Sequence, residues 1–585
     1  MMTTSSLNTE SLLAIDIGDD LTRAILYDVA GGLYRFISAG ISATTSFTPD
    51  SDVGEGVRKA IKQLRELTGR NLLDSDGNLI IPSQEDGSGV DQVAVTISIG
   101  LPLRAVAVGQ IENISLESAC RLAVTTYTEI IDTISLDDQR KQEAKIDAII
   151  RAQPDVIVIA GGLEEGAWKS VVNLLEMVGL ACYLLPGKRP EVLYAGNQAL
   201  HDEIKALLDP YVSLQLAPNV RPTLDDEFIG TAQEQMADIF RKIKLSEFSG
   251  LQELDEWAGE KLLPTATGFG RIINFLSKVY NGNKGVLGID VGVSTNTIAA
   301  AFRGDMVLSV YPWMKRWDGI KDLLADKGMW GIMRWLPFEI TEDSVRDYLY
   351  NRIIYPNSIA VTREEMAVEL ALVRQIIRHA LSEARPGMPM ALGKSGEKNL
   401  PWFEPIVASG KLIVDMPTYA HSLLTILDAL QPSGVTTIVL DQNNLTASLG
   451  ASATVNPLMV VQVIESGAYL NLGTVISPVV DVRRGTPILR IRMTYEAGDE
   501  VNVEVKQGDL EILPLAPGKS VRLYLQPLHL ADIGMGGPGR AGTVRVMGGV
   551  MGIVVDARGR PLQLPEDGGR RREMLVKWLK TFGIE

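Results

Sequence analysis

Short apolar runs that end in glycines alternate with stretches of helical period through residues 11–200. Residues 12–40 predict three successive strands, the first reading LLAIDI. Residues 53–68 put Val57, Ile61, Leu64 and Leu67 on one side of a helix. VAVTISI (93–99) and RAVAVG (104–109) alternate as strands do. ISLESACRLAVTTYTEII (114–131) predicts a helix with Ser115 as its N-cap. PDVIVIAGG (154–162) predicts a buried strand with a glycine turn, and a helix follows through 167–178. Strands and helices in this alternation predict a mainly parallel or mixed sheet covered by helices.

Residues 201–283 differ. Helical patches (IGTAQEQMADIFRKIKL, GRIINFLSKVY) are separated by polar loops with no clear strand, which predicts a mostly helical connector. A second α/β segment covers 284–455. It holds an aromatic-rich insertion at 312–360 with Trp313, Trp317, Trp330 and Trp335, then a long helix at 362–385 opened by a Thr362-x-x-Glu365 capping box. Strands at 405–414 and 436–441 flank the helix AHSLLTILDAL, and TASLGASA (446–453) predicts the last helix. After Asn456-Pro457, residues 458–564 alternate at period two. Turns are expected at Arg484-Gly485, Ala497-Gly498, Gln507-Gly508 and Pro517-Gly518. Residues 456–585 are therefore read as an all-β barrel or sandwich with a terminal helix, REMLVKWLKTFG. Residues 1–10 are read as a disordered polar leader.

At roughly 100–200 residues per domain, 585 residues allow several domains. A net charge of -16 repels phosphate backbones and argues against nucleic acid as a partner. Two cysteines, Cys120 and Cys182, exclude a disulfide framework, favour a cytoplasmic location and are read as buried thiols. The leader lacks the basic and apolar regions of a signal peptide. No apolar run reaches the ~18–20 residues of a membrane helix, so no membrane contact is expected.

One phrase occurs twice. Residues 12–22 read LLAIDIGDDLT and residues 286–297 read VLGIDVGVSTNT. Each is an apolar strand, Asp-x-Gly, a polar loop with threonine, and a returning strand. Gly18 and Gly292 permit a tight turn whose N–H groups can hold phosphate, with Thr22, Ser294, Thr295 and Thr297 as hydroxyl donors. Asp16 and Asp290 stand at strand ends, where they could hold hydrated Mg²⁺. The four histidines, His201, His379, His421 and His529, are too scattered for a metal-ligand pattern. The Gly-rich DIGMGGPGRAG (532–542) is read as a compact turn between strands.

The paired hairpins resemble the phosphate motifs of the superfamily of actin, heat-shock chaperones and sugar kinases. IVASGKL (406–412) stands where that superfamily has its adenosine motif, and SLGA (448–451) resembles its second connecting helix. The resemblance implies duplicated actin-like (RNase H-like) domains closing on Mg-ATP, with Ser409, Gly410 and Lys411 near adenosine. Asp19 and Asp20 depart from the small or hydroxyl residues usual after the first glycine. Ser409-Gly410-Lys411 replaces paired glycines, and no catalytic base of the sugar-kinase type is evident.

Nearly the whole chain, from IDIGDDLTRAILYDV to MGGVMGIVVDARGRPLQLP, resembles the glutamate mutase L family. That resemblance implies an ATP-binding, ATPase-like accessory or reactivation factor for a B12-dependent mutase. The chain is not itself a mutase, because no histidine lies in Asp-x-His-x-x-Gly. Two rivals stay open: a non-catalytic or self-associating, filament-forming scaffold, and a small-molecule kinase. ATP hydrolysis, as against binding alone, also stays open.

Overall fold

The computed structural model describes residues 10–47, 51–164, 166, 168–280, 282–313, 328–389 and 399–584. The leader (all but Glu10) and Trp317 lie outside the described residues. The chain forms two compact units, each assembled from non-contiguous segments. The first runs up to Arg271 and includes Val307–Pro312 and Ala447–Val463; the second takes Ile272–Met306, Trp313–Thr446 and the chain from Ile464.

In the first unit, β1 (Leu12–Ile17), β2 (Leu21–Ala30) and β3 (Leu33–Ala43) form an antiparallel meander. β4 (Gln92–Ile97) pairs parallel with the other edge of β1. β1 is central and buried along its whole length, which explains its apolar spelling, broken only by Asp16. Helix Val53–Thr68 covers this sheet with Val57, Ala60, Ile61 and Leu64. Asp52 caps its start by accepting from the Gly54 N–H, and Gly69 in the left-handed conformation ends it.

A second sheet in this unit is wholly parallel. It comprises β5 (Leu103–Val108), β6 (Thr128–Ile134), β7 (Val156–Ile159), β8 (Glu191–Tyr194) and β9 (Ser213–Leu216), in the order β6-β5-β7-β8-β9. β10 (Leu263–Pro264) extends the first sheet beside β4. The region read as a helical connector thus also carries strands. β9 and β10 are too short to show alternation, and only pairing to β8 and β4 reveals them.

The helix expected at 114–131 is shorter. A turn at Glu112–Leu116 leads into helix Glu117–Ala123, and the chain becomes β6 at Thr128. The β-branched Val124, Thr125, Thr126 and Thr128 favour extended backbone, and parallel pairing to β5 fixes it. Ser115 does not cap this helix. Its hydroxyl accepts from the Gln110 and Ile111 N–H groups at 2.8 and 3.0 Å.

In the second unit, β11 (Gly285–Val291) and β12 (Asn296–Phe302) form an antiparallel hairpin. β13 (Asp305–Tyr311), which the sequence pattern did not reveal, follows in the chain. β14 (Phe403–Ser409) lies parallel to β11, and β15 (Gly434–Leu440) parallel to β14. The same sheet continues through β16 (Leu470–Ser477), antiparallel to β15. Helix Arg363–Ala384 opens with the expected capping box.

The C-terminal strands are β17 (Pro487–Tyr495), β18 (Glu500–Lys506), β19 (Leu510–Leu513), β20 (Ser520–Pro527), β21 (Gly542–Met547) and β22 (Ile553–Asp556). An antiparallel sheet β18-β17-β20-β21 has Gly485, Gly498, Gly508 and Gly518 at the expected turns, each with positive φ. β22 and β19 instead join the α/β sheet beyond β16. One core unites Val435 and Ile476 with Ile491, Leu523 and Ile553. The period-two reading fails at its start, because Pro457–Glu465 is a helix whose first turn is held by Asn456 accepting from the Met459 N–H. The Gly-rich 532–542 segment connects β20 to β21 as a turn, with Asp532 accepting from the Gly534 N–H. Among the described residues no helix is long and apolar enough to cross a membrane.

Candidate functional site

Both Asp-x-Gly phrases form the same local structure. The Gly18 N–H donates to the Leu21 carbonyl at 3.0 Å, and the Gly292 N–H to the Thr295 carbonyl at 2.9 Å. In each, the aspartate lies beside a hydroxyl residue on the parallel neighbour: Asp16 opposite Thr96 and Asp290 opposite Ser409. The antiparallel partners differ, being Arg23 for Asp16 and Thr297 for Asp290.

Around the first hairpin the carboxylate is engaged by protein. Asp16 Oδ1 accepts from Thr96 Oγ1 at 2.8 Å and from Thr265 Oγ1 at 3.0 Å. Its Oδ2 pairs with Arg23 at 3.5 Å. Thr22 is fully buried and shares a hydrogen bond with Thr44, which in turn donates to the Gly18 carbonyl. Asp19 accepts from the Gly100 N–H at 2.9 Å, so it anchors the loop that leaves β4.

Around the second hairpin, Asp290, Gly292, Ser294 and Thr295 are half-buried, while Thr297 is buried. Trp313 donates its indole N–H to the Gly292 carbonyl at 3.3 Å, bracing the turn. Gly410 passes directly over this strand end. Its φ is 92°, and a Cβ there would stand 2.4 Å from Val291 N and 2.5 Å from Asp290 Oδ1. Only glycine fits. Ser409 and Gly410 are held from behind: the Gly410 N–H donates to Asn444 Oδ1 at 2.9 Å, and Ser409 Oγ reaches Asp441 and Asn444 at 3.3 Å. Asp441 is fully buried, and burial raises its pKa against the hydrogen bonds from Thr446, Leu445 and Ser409. Lys411 extends to Asn357 Oδ1 at 3.3 Å. The structure thus gathers Asp290, Gly292 and Ser409–Lys411 within one unit, and Asp16, Gly18 and Thr22 within the other.

The sequence reading missed four participants. Thr96 and Thr265 hold Asp16, and Asp441 and Asn444 hold the Ser409 turn; only the last two carried a signal, as Asp-x-x-Asn directly after a strand. Asn296 is a further case. It occupies the register position equivalent to Thr22, and both polar atoms of its buried side chain are without a hydrogen-bond partner among the described residues.

For a divalent cation, the donor set fits at the second hairpin. Mg²⁺ keeps several waters and takes one or two carboxylates plus phosphate oxygens of a nucleotide; Asp290 offers the carboxylate, beside the turns at Gly292 and Gly410. No group of three or more His, Cys, Asp or Glu able to hold a metal occurs among the described residues. Burial pushes the Cys120 thiol up to about 11 and the Cys182 thiol to about 12, which disfavours the thiolate at neutral pH.

The segment read as a second connecting helix, Thr446–Ser452, crosses helix Thr265–Val279 at backbone contact. A Cβ on Gly450 would lie 1.8 Å from the Gly268 carbonyl oxygen. Tyr27 and Ser448 share a buried hydrogen bond of 2.9 Å at this crossing. A cavity of about 510 Å³ also opens at the ends of β5 and β7, where the parallel sheet reverses its order. Its polar groups satisfy each other, Gln110 bonding both Ser170 and the Gly162 N–H.

Residues 12–467 match the model of a family described as MutL protein, and the chain belongs to that family, of the glutamate mutase L type. A search of curated proteins returned no match. Among solved structures, the chain is similar to acetone carboxylase in its nucleotide-free form, at 12% identity over 85% of this chain and 81% of that one, with a TM-score of 0.33. It is also similar to a ligand-bound xylulose kinase from Lactobacillus acidophilus (13% identity, 77% and 91% coverage, TM-score 0.27). A xylulose kinase from Bifidobacterium adolescentis gives 11% identity, 79% and 94% coverage and a TM-score of 0.27.

Proposed function

We propose that this MutL-family chain binds an adenine nucleotide with Mg²⁺ through its two Asp-x-Gly hairpins, on a duplicated actin-like plan, and serves as an accessory factor for a B12-dependent mutase. The observation that carries the nucleotide reading is the recurrence of one turn in two sheets. Each has the same hydrogen bond closing the loop, the same aspartate two residues before the glycine and the same parallel neighbour bearing a hydroxyl. The accessory role rests on family membership.

The residues divide the work. Gly292, Ser294 and Thr295 offer backbone N–H and half-buried hydroxyl groups to phosphate. Gly18 offers the equivalent turn in the first unit. Gly410 brings its backbone close to Asp290, and Ser409–Lys411 forms the edge toward adenosine. Asp290 would hold the cation in the second unit, whereas Asp16 in the first already accepts two hydroxyls. Bound Mg²⁺ would offset phosphate charge, which an acidic protein needs. Thr22 and Thr297 are buried, and the Thr22 hydroxyl is shared with Thr44.

Isothermal titration of the purified chain with Mg·ATP, Mg·ADP and Mg·GTP tests this reading. Saturable heat with an adenine nucleotide, lost on chelation with EDTA, supports it. Absence of heat with all three overturns it. Phosphate release measured with and without a B12-dependent mutase tests the accessory role.

A further inference from the structure

The parallel sheet β6-β5-β7-β8-β9 is separate from both hairpin sheets, and its order reverses between β5 and β7. Loops that leave two such strands depart to opposite sides, which opens a crevice beyond their carboxyl ends, where open parallel sheets bind small molecules. The cavity of about 510 Å³ at this place has the volume of such a site, about 300–1,000 Å³.

Three features make it more than a gap. The first is the shape of one wall. Glu112–Leu116 is a π-helical turn, in which the Leu116 N–H donates to the Ile111 carbonyl five residues back at 3.1 Å. Such wide turns are rare and recur at functional sites. The second is an apolar rim. Ile111 is 46% exposed, Leu136 43% and Leu224 54%, and all three line the crevice. With Ile114 they come from the chain after β5, after β6 and after β9. Large apolar side chains left in water around one crevice mark a binding surface, and their arrival from separate loops suits a flat ring.

The third feature is a matched donor and acceptor. The Gly162 N–H can only donate, so the Gln110 side-chain oxygen receives it at 2.7 Å, and the Gln110 amide donates to Ser170 Oγ at 2.8 Å. Ser170 is half-buried in the cavity wall, and its own hydroxyl proton has no acceptor among the described residues. Asp137 is exposed in the same wall, just beyond the end of β6. Hydrogen bonds from the Ser135 side chain and the Glu112 N–H lower its pKa, so it is a carboxylate with lone pairs to spare. An acid at the end of the second strand of a βαβ unit is placed to take ribose hydroxyls. Arg221, also in the wall, is committed to Ser118, the Leu224 carbonyl and Glu227. With the arginine paired and Asp137 charged, the crevice favours an uncharged guest over an anion. By contrast, a cavity of about 810 Å³ among helices Arg363–Ala384, Tyr419–Leu430 and Gly568–Thr581 of the second unit is mostly apolar, and its Arg374 and Asp428 pair with each other.

We infer that the crevice at β5 and β7 binds an uncharged nucleoside-like molecule, a flat heteroaromatic ring bearing a hydroxylated tail, with the exposed aliphatic side chains covering the ring, Asp137 accepting from tail hydroxyls and Ser170 donating to an acceptor of the guest. The site lies wholly within the first unit and uses none of the hairpin residues, so it is independent of the proposed nucleotide site.

Riboflavin and adenosine are the probes, with riboflavin phosphate, AMP and ribitol as controls. Titration of the full chain in the presence of saturating Mg·ATP should show saturable binding of riboflavin, adenosine or both, and which of them binds identifies the ring. The phosphorylated forms should bind severalfold more weakly, and ribitol, which lacks the ring, more weakly still. The double variant Ile111→Ser with Leu224→Ser changes only exposed rim positions and should weaken the bound probe severalfold. Asp137→Asn should weaken it too and narrow the gap to its phosphorylated form. Circular dichroism checks that each variant is folded. No binding of either probe by the folded wild type, binding unchanged in the folded double variant, or a phosphorylated form that binds as tightly as its parent overturns the inference. Asp290→Ala should leave probe binding unchanged, which keeps failure of this reading distinct from failure of the nucleotide reading.

Discussion

The two Asp-x-Gly hairpins have the same turn and unlike surroundings. In the first, Arg23 stands across from the aspartate, Thr96 beside it, and Thr265 reaches in from a helix. In the second, Thr297 replaces the arginine in register, and Ser409 turns away to Asp441 and Asn444. Gly410 then lies over Asp290, where nothing comparable covers Asp16 among the contacts just named. A repeated motif is therefore not a repeated role. Asp16 is built into the packing of its unit, whereas Asp290 sits at a half-buried edge beside a glycine turn, the arrangement that can serve a ligand.

The largest expected effect separates the two aspartates by stability. Asp16→Ala strips a carboxylate from Arg23 and two buried hydroxyls and should cost about 3 kcal/mol. Asp290→Ala, at a half-buried strand end, should cost less than that and abolish Mg·ATP binding. Urea unfolding of both variants, with titration of each at temperatures where it is folded, would break the comparison if the two lost equal stability.

Gly410→Ala comes next. The added Cβ collides with Val291 and Asp290 in a backbone region that only glycine enters freely, a strain of about 1–3 kcal/mol. Mg·ATP affinity should fall at least about tenfold, equivalent to about 1.4 kcal/mol. Affinity unchanged from wild type would remove the Ser409–Lys411 turn from the site.

Asn444→Ala sharpens the contrast from behind. It deletes the acceptor of the Gly410 N–H, and loosening this turn should weaken nucleotide binding by about 1 kcal/mol. Stability should fall by about 1 kcal/mol as well, because Asn444 holds a φ of 53° that alanine enters less readily, as thermal unfolding would show.

Thr22→Val gives the smallest change. Its hydroxyl bonds to Thr44 inside the protein, so about 0.5–1.5 kcal/mol of stability should go while Mg·ATP affinity holds. A clear drop in affinity would return Thr22 to the ligand. Replacing Asp19 by Ser should similarly affect the loop at Gly100 before it affects the nucleotide.

Regular elements with strong periodicity were legible. Helix Val53–Thr68 has an Asp start, a Gly stop and a clear apolar side, all local signals. Elements whose identity comes from pairing were not. β9 has four residues and exists because β8 lies beside it, and β6 emerges from a run that also suits a helix. Helix Pro457–Glu465 was absorbed into the strand pattern that follows it, because its short run LMVVQVI is rich in β-branched residues that also suit a strand. At the site, both hairpins could be read because each turn closes within four residues. Thr96 and Thr265 could not, since they lie 80 and 249 residues from Asp16.

The sequence by itself determined what local backbone chemistry controls: the two Asp-x-Gly turns, the capped helices and the glycine corners of the C-terminal strands. These depend on φ/ψ preference and on hydrogen bonds between near neighbours. The tertiary structure alone decided which aspartate is locked and which sits at an edge. It also decided that Gly410 comes to rest on Asp290, and that helices distant in sequence enclose an apolar cavity. Burial and partner choice arise only when remote segments pack, because a carboxylate's environment is set by whatever strand or helix arrives beside it.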